Sequence, residues 1–477
     1  MDEHRKREAE EFRGAAHRHA DWIAGYFEDA GKFPVGAKVR PGEVVAKLPP
    51  SAPETGESIE SIFSDFQSTI LPALTLWNHP RFFAYFAISS TPPSVLAEFL
   101  TAALNVNGML WKSSPAATEL EQVTLGWLRQ WLGLHEDWFG IIYDTASIGV
   151  LQALGAAREW IDPECRTKGM RPGLIVYISE HTHSSAEKAA ITLGFGQENV
   201  RKIPVDSGFR MRPDSLEEAI EADLRSGKRP CAIIASVGST STSAVDPVPA
   251  IAQIANRHRI WLHVDAAYGG SAAVLPEMRH VLEGVEQADS LIVNPHKWLY
   301  VSVDCSVLYT QHPEILRRAS SLKAEYLRTP EDEQVVNFMD YGVQLGRRFR
   351  ALKLWYVFRY YGRQGIIAML RESIRLAKLL ASWVEADSDF ELAAPVPFSL
   401  VCFRHRGGDD VNQKLLAEIN ASGIAFLSHT VLDGRFVLRF AIGNFQSTEA
   451  DVRRTWESIQ EFAARLAPGE HAVSAPG

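Results

Sequence analysis

The stretch Ser290-Leu291-Ile292-Val293-Asn294-Pro295-His296-Lys297-Trp298 sets the reading of the whole chain. Leu291 to Val293 is an apolar run of buried-strand length and Asn294-Pro295 is a turn signal, which puts Lys297 at the rim of a sheet. An amine among Pro295, His296 and Trp298 loses hydration. That disfavours its charged form and exposes the neutral nucleophile needed for an imine with a carbonyl. Taken alone, Lys297 reads more simply as an exposed surface lysine.

Outward from this stretch, strand and helix patterns alternate. Leu174 to Ser179 reads as a strand, with a helix from Ser184; a helix near Asp214 to Leu224 precedes a strand from Cys231 to Val237. Val248 to Asn256 and Ile260 to Val264 repeat the pair, and Leu291 to Val293 and Cys305 to Tyr309 complete it. Such alternation gives an α/β fold with a mostly parallel sheet, whose ligands lie beyond the carboxyl ends of the strands. His183, Gly238-Ser239-Thr240, Asp265 and Lys297 all fall just after these strands, so the fold gathers them at one site.

Tyr143-Asp144-Thr145-Ala146-Ser147 precedes an apolar-periodic run through Ile148, Leu151, Leu154 and Ile161. A helix starting there offers free amides, and the Thr145 and Ser147 hydroxyls add donors for a phosphate; helix capping alone is the plainer alternative. No G-x-G-x-x-G or Walker loop is present, which argues against a dinucleotide or ATP. Ser114-Pro115-Ala116-Ala117-Thr118-Glu119 reads as another helix start, running towards Leu132.

The chain has 477 residues, 46% apolar and 22% charged, with a formal net charge of -9. That length implies two or three domains, because single cores stop growing near ~250 to 300 residues. The negative balance gives no electrostatic reason to expect a nucleic-acid partner. Cys165, Cys231, Cys305 and Cys402 lack CxxC spacing and read as free thiols of a reducing compartment. Residues 1–12 are densely charged without a signal-like apolar segment, no run approaches a membrane span, and no metal site is expected; a cytoplasmic protein without a membrane partner is the expectation.

Residues 1–85 are expected to form a helical and extended arm. Phe12, Trp22, Ile23, Tyr26 and Phe27 give an amphipathic helix in need of a partner surface, and Pro34, Pro41, Pro49, Pro50 and Pro53 mark an extended crossing segment. Residues 86–360 would form the large domain and 361–467 a smaller C-terminal α+β domain. That smaller domain would hold a helix from Gly365 to Glu385, strands near Phe390, Ser399 to Arg404, Ile424 to Leu427 and Phe436 to Ala441, and a helix from Glu449 to Leu466. Residues 468–477 read as a disordered tail.

A lysine for an imine, a carboxylate, an imidazole and a phosphate site at a helix start are together what pyridoxal phosphate requires. Singly, Asp265 could be a structural carboxylate and His183 a satisfied core histidine. The chain resembles the group II pyridoxal-phosphate decarboxylases, in the aromatic-L-amino-acid decarboxylase branch. The resemblance rests on Asn294-Pro295-His296-Lys297-Trp298, His263-Val264-Asp265-Ala266-Ala267-Tyr268, Ser114-Pro115-Ala116-Ala117-Thr118-Glu119-Leu120-Glu121 and Leu345-Gly346-Arg347-Arg348-Phe349-Arg350.

This resemblance implies fold type I, aspartate-aminotransferase-like, with a seven-stranded sheet, and a homodimer with shared active sites. It implies that Lys297 carries the cofactor as an imine, Asp265 binds the pyridine nitrogen and His183 stacks on the ring. Thr145, Ala146, Ser147 and Asn294 would hold the phosphate, with Thr240, Ala267 and His296 nearby. Tyr326, on a polar and turn-rich loop, matches the tyrosine that protonates the alpha carbon. Relatives that make aldehydes tend to replace that tyrosine or the stacking histidine; both are present here, so amine formation is expected.

Trp77, Tyr85, Phe86, Ala87, Ile88, Asn107, Met109 and Ser399 match substrate-pocket positions. Ala87 replaces a common proline, Asn107 and Met109 stand where apolar and phenylalanine residues are usual, and Ser399 goes with phenolic or histidine substrates where glycine goes with larger rings. Asp144 stands where many relatives have glycine. Tyrosine, DOPA and phenylalanine therefore rank above tryptophan. A histidine decarboxylase, an aromatic aldehyde synthase and a non-catalytic cofactor-binding protein are the rivals, while a desulfurase would need a cysteine in a polar loop.

Overall fold

The computed structural model describes residues 3–86, 88–322 and 327–466. Ala87, Tyr326 and the expected tail lie outside them. Among the described residues seven strands form the larger sheet: β1 (Phe139–Tyr143), β2 (Leu174–Ser179), β3 (Val200–Ile203), β4 (Arg229–Ser236), β5 (Trp261–Asp265), β6 (Ser290–Val293) and β7 (Ser306–Thr310). Their order is β1-β7-β6-β5-β4-β2-β3. Strands β2 to β6 pair in parallel, and β7 runs against both of its neighbours, β1 and β6.

The sequence of β2, β4 and β6 is apolar at nearly every position because both faces of this sheet are covered. Successive side chains point to opposite faces. Ala232 and Ile234 of β4 therefore pack with Val150, Ala153 and Leu154 of the helix Ala146–Ile161. Ile233 and Ala235 belong to the core on the other side, with Ile251 and Ala255 of the helix Val248–His258 and Leu354 and Val357 further along the chain.

The second sheet is antiparallel, ordered β10-β11-β9-β8, from β8 (Phe390–Leu392), β9 (Leu400–His405), β10 (Ser428–Leu432) and β11 (Arg435–Ala441). The helices Asp409–Ser422 and Glu449–Leu466 pack with it. The strand expected at Ile424 to Leu427 is absent; the segment is irregular and β10 follows it. Its backbone is held instead by the chain at Arg81 to Phe83, with Phe83 N–H donating to Phe426 O at 2.8 Å, and by the Asn420 amide, which Leu427 N–H meets at 2.8 Å.

A 36-residue helix, Ala351–Ala386, serves both sheets and is longer than the expected Gly365 to Glu385. It is interrupted at Gly362, whose φ of 61° and ψ of 175° no helix contains and which glycine adopts without a side-chain clash. At the other end of the chain, the helix Glu3–Glu28 sets Trp22 against Phe63 and Phe66, with ring centroids 6.1 and 5.7 Å away. Only Ala15 of this helix is buried. All four cysteines are free and buried. No described helix is long and apolar enough to cross a membrane.

Candidate active site

The carboxyl ends of β1, β2, β4, β5 and β6 open into one cavity of about 200 Å³. Thr145, Ala146, Ser147, His183, Thr240, Asp265, Ala267, Asn294, His296 and Lys297 all line it, together with Phe86. The cause is topological: parallel strands end on the same side, so the residues after each end converge.

Lys297 sits in the short helix Pro295–Trp298, its backbone N–H donating to Asn294 O at 2.9 Å. Its amine lies 5.4 Å from the Phe86 ring centroid. Burial pushes the amine pKa down; Asp265 opposes this and the Arg439 charge adds to it. The amine meets no protein hydrogen-bond partner among the described residues, so it is an available nucleophile.

Asp265 closes β5, and its carboxylate accepts the Ala267 N–H at 3.1 Å. No other hydrogen bond holds that carboxylate among the described residues. Its remaining lone pairs are free for a cationic donor. His183 follows β2 and its Nδ1 accepts the Ser185 backbone N–H at 3.2 Å and meets the Ser185 hydroxyl at 2.8 Å. Because an amide donates to Nδ1, the neutral ring carries its proton on Nε2. Desolvation by the cavity walls pushes the imidazolium pKa down, with Asp265 opposing and Lys297 assisting.

His296 is buried and its pKa is lowered to about 3, first by burial and then by Lys297 and Lys353. Its Nδ1 accepts the Cys305 N–H at 3.0 Å, which holds the Lys297 turn against the start of β7. Asn294 accepts the Ser306 hydroxyl at 2.6 Å. Both residues brace the lysine turn.

The helix Ala146–Ile161 aims its start at the cavity. Its first intrahelical bond is Gly149 N–H to Thr145 O at 3.1 Å, leaving the amides of Ala146, Ser147 and Ile148 as orphan donors. Together with the Ser147 hydroxyl they form an anion cradle, and Thr240 lines the same cavity. Gly238, at φ 87°, turns the chain after β4; a Cβ there would lie 2.8 Å from Gly269 N.

Gly238 and Ser239 line the cavity as their place after a strand leads one to expect, and Ser236 and Tyr268 line it as well without having been expected there. Ser236 ends β4 and Tyr268 closes the His263–Tyr268 motif, so strand-end position was the signal available. Tyr268 is stacked between Phe86, at 3.9 Å, and Trp298, at 4.8 Å. Arg439 was also missed. It is buried on β11, lies 5.4 Å from the Phe86 ring centroid, and donates to Thr240 O at 2.7 Å and Ser241 O at 3.1 Å. A lone arginine inside the apolar run Phe436 to Ala441 was its only local sign.

Of the other expected pocket residues, Trp77, Tyr85, Ile88, Asn107, Met109 and Ser399 do not line this cavity. Trp77 and Tyr85 stack on each other at 5.3 Å and are exposed. Asn107 accepts Arg347 N–H at 2.9 Å, and Met109 packs on Leu110, Leu327 and Met339. Ser399 lies behind Tyr268, and the two hydroxyls are 2.5 Å apart. Ala87 and Tyr326 fall outside the described residues.

Residues 41–406 match the family model described as the pyridoxal-dependent decarboxylase conserved domain. Tryptophan decarboxylase 2 of Oryza sativa subsp. japonica is 41% identical over 97% of this chain and 96% of its own length. Phenylacetaldehyde synthase of Arabidopsis thaliana is 40% identical over 96% and 97%. The crystal structure of Oryza sativa TDC with PLP and tryptamine superposes with a TM-score of 0.94 at 36% identity, covering 96% of this chain and 99% of that one.

Proposed function

The chain belongs to the pyridoxal-dependent decarboxylase family, and from that premise we propose that it decarboxylates an aromatic L-amino acid to the amine and carbon dioxide. Its cofactor is pyridoxal phosphate and its fold is fold type I. The observation that carries the reading is the convergence of the Lys297 amine, the Asp265 carboxylate and the His183 ring on one cavity with an anion cradle at its edge. The cavity fits the cofactor. An unpartnered amine suits its aldehyde, a carboxylate with free lone pairs suits its ring nitrogen, and orphan amides suit its phosphate.

Pyridoxal phosphate supplies an aldehyde that condenses with amines and a ring that accepts the electron pair released as carbon dioxide departs. Lys297, whose pKa burial lowers, would hold that aldehyde and give it up to a substrate amine. Asp265 would pair with the ring nitrogen and favour its protonated form. His183 would stack on the ring and has Nε2–H free to donate. The Ala146, Ser147 and Ile148 amides, with the Ser147 hydroxyl and Asn294, would hold the phosphate end, and Thr240 would stand near the ring. Tyr326, outside the described residues, would supply the proton that the alpha carbon needs for the amine.

Tyrosine, DOPA and phenylalanine are proposed to be turned over ahead of tryptophan. The Ser399 hydroxyl fixes the ring of Tyr268 in the cavity wall and so limits the room that ring leaves for a larger substrate. The relatives leave ring size open, since an enzyme named for tryptophan and one named for phenylacetaldehyde are about equally similar. A homodimer is proposed from the uncovered apolar face of the helix Pro92–Leu104, where Leu96, Phe99 and Leu104 are more than half exposed. A cytoplasmic location accords with four free thiols.

The test is to incubate cofactor-loaded protein with tyrosine, DOPA, phenylalanine, tryptophan and histidine in parallel and to quantify carbon dioxide, amine and aldehyde. Amine from the phenyl and phenolic set is the expected result. Histamine alone would move the protein to histidine, aldehyde in place of amine would move it to the synthases, and no product from any substrate would leave a cofactor-binding protein without this activity.

A further inference from the structure

Asp144 stands between β1 and the anion cradle, and its surroundings give it an unexpected task. Its Oδ1 accepts the Thr145 backbone N–H at 2.5 Å and the Thr145 hydroxyl at 3.1 Å. Its Oδ2 accepts the Gln344 amide at 3.3 Å. No lysine, arginine or histidine pairs with it among the described residues. Thr145 occupies the N-cap position of the helix Ala146–Ile161, yet its hydroxyl makes no capping bond, because Asp144 holds it.

This arrangement sets two anions against one set of donors. The cavity wall contains Lys297 and no arginine, and the Arg439 guanidinium, which donates to Thr240 O and Ser241 O, makes no bond to Asp144. A phosphate carrying up to two negative charges must approach a carboxylate adjoining the first residue of its cradle, and it meets that residue with both donors already engaged. Like charges drawn to one set of donors repel, an effect that solvent moderates here because Thr145 and Ser147 are exposed. The orphan amides of Ala146, Ser147 and Ile148 and the Ser147 hydroxyl remain available, so the phosphate still binds, but it binds in competition.

We propose that Asp144 is a selective brake on cofactor retention, competing with the cofactor phosphate for the Thr145 donors and for the positive end of the helix that follows. The inference rests on the assignment of this cavity to pyridoxal phosphate. Asp144 touches neither the aldehyde end of the site nor Lys297, so its effect is confined to the phosphate. The protein exchanges its cofactor more freely than its complement of donors implies.

The experiment compares apoprotein of the wild type, Asp144→Asn and Asp144→Ala, titrated separately with pyridoxal phosphate and with pyridoxal, which lacks the phosphate. Binding is read from the near-visible absorbance change as the aldehyde condenses with Lys297, and release from the rate of its loss on dilution. Both variants should bind pyridoxal phosphate about tenfold more tightly and release it more slowly, while pyridoxal changes by less than about twofold. Pyridoxal uptake by the same samples reports that Lys297 and its walls are folded. Unchanged or weaker phosphate-cofactor binding in both variants, or an equal shift for the two aldehydes, overturns the proposal. Wild-type protein that takes up neither aldehyde would instead remove the cofactor site itself.

Discussion

The Tyr268 and Ser399 hydroxyls meet at 2.5 Å, joining the end of β5 in the large sheet to the approach to β9 in the small one. Tyr268 lines the cavity and Ser399 does not. Any influence of Ser399 on substrate is therefore exerted through the ring of Tyr268. Burial pushes the tyrosine pKa up, so the pair is a neutral hydrogen bond.

Ser399→Ala leaves a buried phenol without its partner and should cost about 1–3 kcal/mol in denaturant unfolding. Tyr268→Phe leaves only the small hydroxyl and should cost less. Ser399→Gly also vacates space behind the ring, and kcat/KM for tryptophan relative to tyrosine should rise. A ratio that stays constant would detach Ser399 from ring selection.

The amine of Lys297 should titrate below the ordinary lysine value of 10.5, because burial outweighs the attraction of Asp265. The neutral amine is the reactive form, so condensation of apoprotein with pyridoxal should accelerate with pH around that lowered midpoint. Asp265→Asn removes the charge that raises the pKa and should move the midpoint further down. Arg439→Met removes a charge that lowers it and should move the midpoint up. Shifts in the same direction would contradict this electrostatic account.

Glu121 and Arg347 form a buried ion pair at 2.7 Å; Glu121 also accepts Ile142 N–H at 2.9 Å and Arg347 donates to Ile142 O at 2.9 Å. Glu121→Ala strands the guanidinium and should destabilise the protein by about 3–5 kcal/mol, measured as a lower denaturant midpoint. Replacing both with leucine and methionine should recover only part of this. The Ile142 amide would still lack a partner, a loss of about 1–3 kcal/mol.

Lys297→Ala should abolish both the cofactor-linked absorbance and turnover. Tyr326→Phe removes the proposed proton donor and should shift product from amine towards aldehyde, scored by quantifying both from tyrosine. An unchanged amine yield would take Tyr326 out of the protonation step.

Most of the buried strands and the closing helix were legible in the sequence because packing wrote them as apolar runs, whereas β1, apolar as it is, was not among the expected strands. Leu174–Ser179 and Glu449–Leu466 occupy the expected residues. The polar edges were not legible. Val200–Ile203 carries Arg201 and Lys202 at a sheet edge, and β10 has exposed His429, so neither shows a continuous apolar pattern. The apolar run Ile424 to Leu427 misled for the converse reason: burial there is met by irregular backbone bonded to a distant segment. Phe86 follows no strand end, but most of the cavity residues were readable because they follow one. Arg439 was not, since its place depends on how the second sheet packs against the Thr240 turn.

The helix Ala351–Ala386 gives Leu354, Val357, Phe358 and Ile367 to the core of the large sheet, and Leu376, Ala377, Leu380 and Val384 to that of the small one. The break at Gly362 bends the rod without dividing its labour. Heat should therefore melt both lobes in a single endotherm, since loss of either core deprives the shared helix of half its support. For the same reason the C-terminal lobe is a poor candidate for transplantation: severed at the glycine, it would carry with it Ile366, Ile367 and Leu370, which belong to a core shared with large-sheet residues such as Val264 and Leu291. Recombination between relatives should succeed with crossover points outside this helix and fail within it.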